Sequence, residues 1–538
     1  MKIYKILLIV ITMLFALSSC QKFLTTQLMD KKTNKSYYQT PDDAATALVG
    51  VYNGMDLMWN GGPALPLVAE VASDNTFGGT GSGDGYGWAM MDEFNKAVSP
   101  TDASMFESDW QDYYQAIYRA NTLIENIGQV NWGGDTALRN SDEAQARFIR
   151  AYLYYGLVRL FGHIPLITKP TSDNVPQAPP DSVYTQIFKD LKFAADNLPA
   201  KPYSATPSGR VTKWAAESML ARVYLFYTGY YGKSTLAGFT KSDALKAVED
   251  VIKNGGYSLV PNFASLWPAA AEADTVAYAG ENNPEVVFSI KYTGNADYNG
   301  NITGNTWLLM TGIRLGAGGG VSVYPYGYGW GACTVDPKLW NAYSANDSRR
   351  FATITSVKDE GLDTKTAQIT GKAFSSANNR EYTGYYLKKY SPLADTSNSP
   401  LPATNYLIAQ KQDYFVIRYS DVLLMAAELG SPNALQYFNM VHTRAGLPAV
   451  SSIDEATIMK ERRLEFAGEG IRYWDLLRQG IQKAAQTIVA NTTMSYLDDG
   501  TASPSISTQN IISTGGFMQI PNNEITLSGG VLKQNPGW

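Results

Sequence analysis

Three acidic side chains near the carboxyl end of the chain have a spacing that could support acid–base chemistry. Glu461, Glu465 and Glu469 recur every four residues. On one helix their carboxylates would share a face, where a pair of carboxylates can act as general acid and base. Basic residues lie among and after them: Arg462, Arg463, Arg472 and Arg478. Because interleaved opposite charges are typical of a network between helices, we predict a structural role for these residues, and for Arg418 and Asp421.

The familiar patterns of other catalytic and metal-binding sites are missing from the sequence. His163 and His442 are far apart, and neither has a second ligand type at a metal-binding spacing. The chain also lacks the Gly-x-Ser-x-Gly motif of acyl hydrolases. We therefore expect no catalytic residue, no dedicated metal site and no cofactor, with a structural calcium ion left open as an alternative.

A first group of polar and aromatic residues surrounds a glycine-rich stretch. Asp74 and Asn75 precede this stretch, and Tyr86 and Trp88 follow it. Because glycine-rich connections run over the surface, we expect these side chains on an exposed loop. An aromatic face can stack on the apolar face of a sugar, and Asp and Asn can bind its hydroxyl groups.

A second group of aromatic residues lies in the middle of the chain. Trp307 is followed by Tyr324, Tyr326, Tyr328 and Trp330, which alternate with small residues. If this segment is extended, the period of two directs all four rings to one side, as a platform for a sugar. The alternative for both groups is that the rings form the core of a loop-rich lobe, since glycine lets the backbone pack closely on aromatic rings and exposed rings are disfavoured.

Apolar residues at helical spacing predict the elements that must position these groups. The predicted helices are 40–52, 110–127, 141–161, 181–198, 212–227, 241–253, 420–429, 432–444 and 453–479. Residues 261–412 are instead rich in Gly, Asn, Ser and Thr, with short β-prone runs such as 286–290. This pattern predicts a mainly α protein: a tetratricopeptide-like helical-repeat scaffold with an inserted irregular, loop-rich lobe containing short strands. The corresponding units are a helical scaffold over 40–260, the ligand-facing lobe over 261–412 and a helical region over 413–538.

The start of the chain has the order of a bacterial lipoprotein signal. Lys2 and Lys5 precede an apolar run of twelve residues, which ends at Leu17-Ser18-Ser19-Cys20. Twelve residues are too few to span a bilayer, which needs about 20. We therefore predict a signal peptide over 1–19, lipid attachment at Cys20 and a tether over 20–39, which leaves Cys333 without a disulfide partner.

The composition excludes some classes of partner. The formal net charge is −5, and loss of the two lysines of the signal makes it more negative. A net negative charge argues against nucleic acid and against peripheral binding to anionic lipid. The 35 tyrosines are many for a soluble protein, and stacking on a ligand is one explanation.

The carboxyl-terminal part of the chain carries a series of recognisable blocks. They read DYFVIRYSDVLLMAAE at 413–428, NMVHTRAGLP at 439–448, ERRLEFAGEGIRYWDLLR at 461–478, IPNNEI at 520–525 and QNPGW at 534–538. In this order they resemble the signature blocks of the SusD/RagB family, although Trp538 stands where Tyr is usual. Upstream segments resemble the amino-terminal helices of that family: 110–126, 146–165 and 209–225.

This resemblance implies a lipoprotein on the outer face of the outer membrane. Such proteins form a lid over a SusC-like TonB-dependent transporter, capture oligosaccharides and deliver them to it. The expected function is therefore glycan binding without turnover. One alternative is a peptide-capturing RagB-like protein; a surface glycosidase, which needs two carboxylates about 5 to 10 Å apart, is a more distant one. The candidate ligand-binding residues come from the two aromatic groups, since their loops match no fixed family motif.

Overall fold

The computed structural model describes residues 34–57, 65–85, 87–202, 209–271, 280–281, 283–299, 303–316, 320–492 and 504–538. The predicted signal peptide, Cys20 and most of the predicted tether lie outside these residues, and so does Tyr86. Within the described ranges, no helix combines the length and the hydropathy needed to cross a membrane.

Helices form the scaffold of the protein. They are α1 (Pro41–Leu57), α2 (Glu107–Asn126), α3 (Thr136–Phe161), α4 (Pro180–Asn197), α5 (Lys213–Tyr231), α6 (Lys241–Asn254), α7 (Tyr419–Glu428), α8 (Ala434–Arg444), α9 (Glu455–Phe466), the short α10 (Arg472–Leu477) and α11 (Ile481–Thr492). The other helices have nine residues or fewer: Asn34–Tyr37, Leu65–Val71, Gly87–Glu93, Pro268–Ala271, Trp307–Thr311, Pro337–Ala342, Arg349–Thr353, Leu362–Thr370, Thr508–Ser513 and Asn522–Leu527. Single 3₁₀ turns lie at Lys96–Val98, Ile127–Gln129, Phe263–Leu266 and Ser376–Asn378.

Local hydrogen bonds define where several of these helices begin. Asp135 caps α3, because its side chain accepts a hydrogen bond from Leu138 N at 2.9 Å. Thr240 and Asp243 form a reciprocal capping box at the start of α6. Gly232 ends α5 in the left-handed conformation, which only glycine adopts without strain.

The scaffold helices pack against one another in chain order, from α1 to α2 and onward through α8. Buried ion pairs reinforce these contacts: Arg150 of α3 donates to Asp190 of α4 at 2.8 and 2.7 Å. The ends of α1 to α8 agree with the predicted ranges to within about five residues, and the mainly helical fold class is confirmed.

One predicted helix, 453–479, is wrong as a single element. It is divided into α9 and α10 by a turn in which Gly468 and Gly470 have φ of 78° and 72°. A side chain at Gly470 would also collide with Pro66, whose Cα would lie 2.6 Å from an added Cβ. The chain therefore leaves the helix so that its backbone can pack against the helix Leu65–Val71.

Short strands connect the scaffold to the middle of the chain. They are β1 (Thr76–Phe77), β2 (Ile164–Pro165), β3 (Gln177–Ala178), β4 (Val286–Ile290), β5 (Thr334–Val335), β6 (Ile354–Ser356), β7 (Tyr385–Leu387), β8 (Leu393–Ala394), β9 (Pro400–Leu401) and β10 (Tyr414–Arg418). The largest sheet has the order β1-β5-β7-β6, and the antiparallel pairs β10-β4, β2-β3 and β8-β9 stand apart. Strand β4 confirms the predicted run 286–290, whereas its buried partner β10 was not predicted.

The buried apolar side chains form one large cluster that reaches from α1 to Trp538 and includes β4 and β10. A smaller cluster lies in the middle of the chain, with Ile313, Leu315, Tyr326 and Tyr386 among its members. The predicted unit boundaries at 260 and 412 stay a prediction, because the large cluster contains residues from both sides of each.

Candidate functional site

The carboxylates of Glu461 and Glu465 are buried in an ion-pair network. Arg349 donates to Glu461 at 2.6 Å and to Glu465 at 3.1 Å, and Arg418 donates to Glu465 at 2.9 Å. Burial alone would raise the pKa of Glu465, but the guanidinium groups of Arg444, Arg418 and Arg349 hold it below its usual range. A carboxylate that stays ionised and fully paired is unsuited to donate a proton, so the predicted structural role is confirmed.

The partners in this network differ from the predicted ones. Glu469 lies in the turn after α9, where it pairs with Lys389 at 2.7 Å and with Arg418 at 2.7 Å. The arginines close to the glutamates in sequence pair with other acids: Arg462 with Asp421 and Asp475, Arg463 and Arg472 with Asp74, and Arg478 with Asp475 and Glu428. The carboxylate of Glu461 also accepts a hydrogen bond from His442 Nδ1 at 2.8 Å, so this histidine belongs to the same network.

Asp74 and Asn75 are fully buried, and the expectation that they lie on an exposed loop is wrong. Asp74 accepts hydrogen bonds from Arg472 at 2.7 and 2.9 Å. Asn75 donates to Glu70 at 3.1 Å and accepts from Arg463 at 3.1 Å. Both residues therefore hold the start of the glycine-rich stretch against the carboxyl-terminal helices and do not face a ligand.

The other members of the first group are dispersed. Trp88 lies in the helix Gly87–Glu93, half-buried against the large cluster. Tyr86 lies outside the described residues. The glycine-rich loop itself, residues 78–85, becomes exposed from Ser82 onward.

Two of the five rings in the second group are core residues, as the alternative prediction held. Trp307 is buried and stacks on Tyr390, with ring centroids 4.3 Å apart. Tyr326 is buried in the smaller cluster, where its hydroxyl donates to Glu360 at 2.6 Å. The expected one-sided platform is wrong because the segment bends: Tyr326 N returns to Val323 O at 2.8 Å across a turn.

The remaining three rings reach the surface, and we call them the aromatic surface: Tyr324, Tyr328 and Trp330. Tyr324 is 44% exposed and Trp330 is 39% exposed, while Tyr328 is half-buried against Tyr406 at 4.7 Å between centroids. Exposed aromatic side chains that are close together can form a binding surface, whereas single exposed rings are common.

The glycine-rich loop lies beside the aromatic surface, so the structure brings parts of the two predicted groups together. Thr80 N donates to Gly331 O at 2.8 Å, and a side chain at Gly79, with φ of 60°, would collide with the same carbonyl. Arg380 donates to Gly85 O and to Asp84 O, both at 2.7 Å. The half-exposed carboxylate of Asp84 accepts from Thr80 Oγ1 at 2.7 Å and from Gly81 N at 2.8 Å, so it is fixed in the loop that Thr80 joins to Gly331.

Two further loops border the aromatic surface, and sequence reasoning did not single them out. Asn398 accepts a hydrogen bond from Tyr324 N at 2.9 Å, in a polar loop whose Asp395 accepts from Ser397 and Ser399. These hydrogen bonds lower the pKa of Asp395, first through the Ser397 side chain. The sequence pattern that could have predicted this loop is the run of turn-forming residues at 395–400.

The third loop carries an exposed ring. Tyr298 is 66% exposed, and Asn405 joins its loop to the segment of Tyr406 by donating to Ala296 O at 2.9 Å. Tyr406 in turn packs on Tyr328, which connects this loop to the aromatic surface. An isolated tyrosine among polar residues carries no pattern that could have predicted this position.

Two carboxylates anchor the glycine-rich loop, one buried at Asp92 and one partly buried at Glu381. Asp92 accepts from Gly78 N at 2.8 Å and Glu381 accepts from Gly79 N at 3.0 Å. Burial raises the pKa of both carboxyls, and each is raised further by a neighbouring acid; the pKa of Glu381 reaches about 7. Near neutral pH the carboxyls of Asp92 and Glu381 therefore carry less than two full negative charges between them.

Family models and relatives with similar sequences identify the family of this chain. A model described as the SusD family matches residues 284–538, and a model described as starch-binding associating with outer membrane matches 72–225. SusD-like protein P2 of Formosa agariphila is 30% identical over 519 residues, covering 89% of this chain and 91% of that protein.

Solved structures agree over nearly the whole chain. A laminarin binding SusD-like protein is 27% identical, with a TM-score of 0.72 over 93% of this chain and all of its own. Surface glycan-binding protein A from Bacteroides thetaiotaomicron, in complex with laminarihexaose, is 27% identical with a TM-score of 0.73 over 92% of this chain.

Fold and sequence together define an outer-membrane-associated surface protein with a helical SusD-like scaffold. The chain belongs to the SusD family, whose members are glycan-binding and non-catalytic. The predicted family and the prediction that the protein is not an enzyme are thereby confirmed.

Proposed function

We propose that this protein captures oligosaccharides on the aromatic surface at the cell exterior. The observation that carries the proposal is the exposure of Tyr324 and Trp330 beside Tyr328, on a segment bordered by polar loops. Flat rings stack on the apolar faces of sugars, while Asp84 and the polar groups near Asn398 offer hydrogen bonds to the hydroxyl rim. Asp74, Asn75, Tyr326 and Trp307 have no part in this contact because they are buried.

The shape of the surface also supports an extended ligand. The exposed rings lie on connected loops, from Tyr298 through the Tyr406 segment to Tyr328. A chain of sugar units can stack on successive rings, whereas a single small molecule gains little from an open surface. Laminarin-type oligosaccharides are the first ligands to test, since two of the similar structures are described as binding laminarin or laminarihexaose.

The capture step is proposed to serve import. Cys20 carries the lipid that holds the mature protein at the outer membrane, with the aromatic surface facing outward. A SusC-like TonB-dependent transporter then receives the glycan. This part of the proposal is supported by the lipoprotein signal at the start of the chain and by family membership.

Calorimetry and affinity electrophoresis against a panel of polysaccharides test the capture step. We expect binding to at least one glycan, with no release of reducing ends by the purified protein. Absence of binding to every glycan, alone or with the transporter, would contradict the proposal, as would peptides that copurify and compete for the same surface.

Replacing Cys20 by Ala tests the anchor. We expect the variant to incorporate no labelled palmitate and to leave the outer-membrane fraction, while its purified form binds glycan as the wild type does. A Cys20→Ala protein that remains acylated would refute the anchor without affecting the capture step.

A further inference from the structure

A small cavity lies inside the helical scaffold, far in sequence from the aromatic surface. Its volume is about 40 Å³, and it lies between α3, α5 and α10. Its walls include Tyr152, Tyr155 and Arg159 of α3, Arg222 of α5 and Trp474 of α10. None of these residues contributes to the proposed glycan contact.

Arg159 is a buried cation without a carboxylate partner among the described residues. The side chain is 7% exposed, and its Nε donates to Tyr155 O at 3.1 Å. The guanidinium carbon lies 3.9 Å from the Tyr155 ring centre and 4.6 Å from that of Trp474. Residues 58–64, which come directly before Leu65 in the cavity wall, include no Asp or Glu.

The other arginines of the cavity wall are neutralised by acids. The pairs are Arg222 with Asp421, Arg462 with Asp421 and Asp475, and Arg478 with Asp475 and Glu428. Four guanidinium groups therefore share three carboxylates in this part of the structure, and the excess positive charge falls on Arg159. A buried charge without a counter-ion is strongly unfavourable, so an anion bound at this site would stabilise the folded protein.

The unpaired polar groups around the cavity are donors. The buried Nε1 of Trp474 and Nε of Arg222 have no hydrogen-bond partner within the described ranges. Tyr152 and Tyr155 line the cavity, and burial raises the pKa of both hydroxyls, that of Tyr152 to about 12, so they keep their protons at neutral pH and can donate to an anion. Both oxygens of Asp475, the acid in the wall, already accept from Arg462 and Arg478.

We propose that this cavity binds a small monovalent anion of about the size of chloride, as the counter-ion of Arg159. A water molecule needs about 10 to 15 Å³ of such volume, so about 40 Å³ admits a halide with one or two waters and excludes a sugar. The anion accepts hydrogen bonds from the Arg159 terminal nitrogens and the tyrosine hydroxyls. Because it lies between α3, α5 and α10, it stabilises the packing of the scaffold.

Bromide provides a direct test with the wild-type protein. Crystals grown or soaked in sodium bromide should show an anomalous peak within hydrogen-bond distance of the Arg159 guanidinium. In solution, exchange of sodium gluconate, whose anion is too large to enter, for sodium bromide at constant ionic strength should raise the Tm by about 1 to 2 °C relative to a variant without the site.

Arg159→Met is that variant, since it keeps the apolar stem and removes the charge; it should lose both the peak and the relative rise in Tm. If Arg159→Met fails to fold, Tyr155→Phe should weaken bromide binding several-fold. Tyr113→Phe is the matched control, because the Tyr113 hydroxyl is buried and unpaired among the described residues but is not in the cavity wall. Wild-type crystals with density for water alone in the cavity, or equal bromide responses in the wild type and Arg159→Met, would overturn the proposal.

Discussion

Burial divides the candidate residues into a set that a ligand can reach and a set that only stabilises the fold. Tyr324, Tyr328 and Trp330 remain accessible, whereas Asp74 is held in a buried ion pair. Residue type alone could not distinguish these sets, because an aspartate that binds a sugar and one that binds an arginine look the same in a sequence. The partners of Asp74 are nearly 400 positions away, at Arg463 and Arg472.

Replacing Asp74 by Ala should therefore affect stability and not ligand contact. Removal of one partner leaves Arg472 as an uncompensated buried cation, so we expect the free energy of unfolding to fall by about 3 to 5 kcal/mol. Urea unfolding followed by circular dichroism measures this loss. An Asp74→Ala protein with wild-type stability and weakened glycan binding would instead restore the ligand role first predicted from the sequence.

The helices could be predicted because their signals are local. Apolar spacing and caps such as Thr240 determine α1 to α8 without reference to the rest of the chain. Strand β10 was missed because its five residues are all buried, so it has no alternation of apolar and polar positions. The break between α9 and α10 depends on the contact of Gly470 with Pro66, which no local pattern reveals.

The bend at Val323 to Tyr326 likewise depends on the tertiary structure. The alternation of rings and small residues predicted an extended segment, but Tyr326 instead turns inward to reach Glu360. Tyr326 is therefore in the core, as is Trp307 in a separate helix, and the exposed remainder is a smaller surface than the sequence suggested. The neighbouring loops at Tyr298 and Asn398 join it only through long-range hydrogen bonds.

Glu381, which holds the glycine-rich loop, should make the stability of the protein depend on pH. The pKa of Glu381 is raised from an ordinary value of 4.5 to about 7, first by burial. A raised pKa means that the folded protein binds the proton more tightly than the unfolded chain does. The corresponding stability is present in full below about pH 4.5 and is lost as the pH rises to about 7.

Glu381→Gln should remove much of this dependence, because the amide oxygen still accepts from Gly79 N but cannot ionise. Between pH 5 and pH 8 the wild type should lose stability on the order of 3 kcal/mol more than the variant. The charged groups that face Glu381 are Asp92, Glu93 and Arg380, and they are unchanged in the variant. Glu455→Gln, at an exposed glutamate, is the control; parallel pH profiles for the wild type and Glu381→Gln would contradict the assignment.

At the scale of the whole molecule, buried ion pairs connect distant parts of the chain. Glu285, directly before β4, pairs with Arg418 at the end of β10, and Lys389 reaches Glu469 from the middle of the chain. These pairs fix the loop-rich region against the helical scaffold, so the region that carries the aromatic surface is held in a defined position. Three of the family blocks contribute to this network, through Arg418 and Asp421, through His442 and Arg444, and through the charged residues of 461–478.

Isothermal calorimetry with surface variants tests the central claim, that the exposed rings hold the glycan. We expect Trp330→Ala and Tyr324→Ala each to weaken binding of an oligosaccharide such as laminarihexaose by about tenfold or more, since a central aromatic contact is worth roughly 1 to 2 kcal/mol or more. Tyr118→Ala, at a half-exposed tyrosine on α2, is the matched control and should bind as the wild type does. Unchanged affinity in both Trp330→Ala and Tyr324→Ala, with a ligand that the wild type binds, would contradict the account.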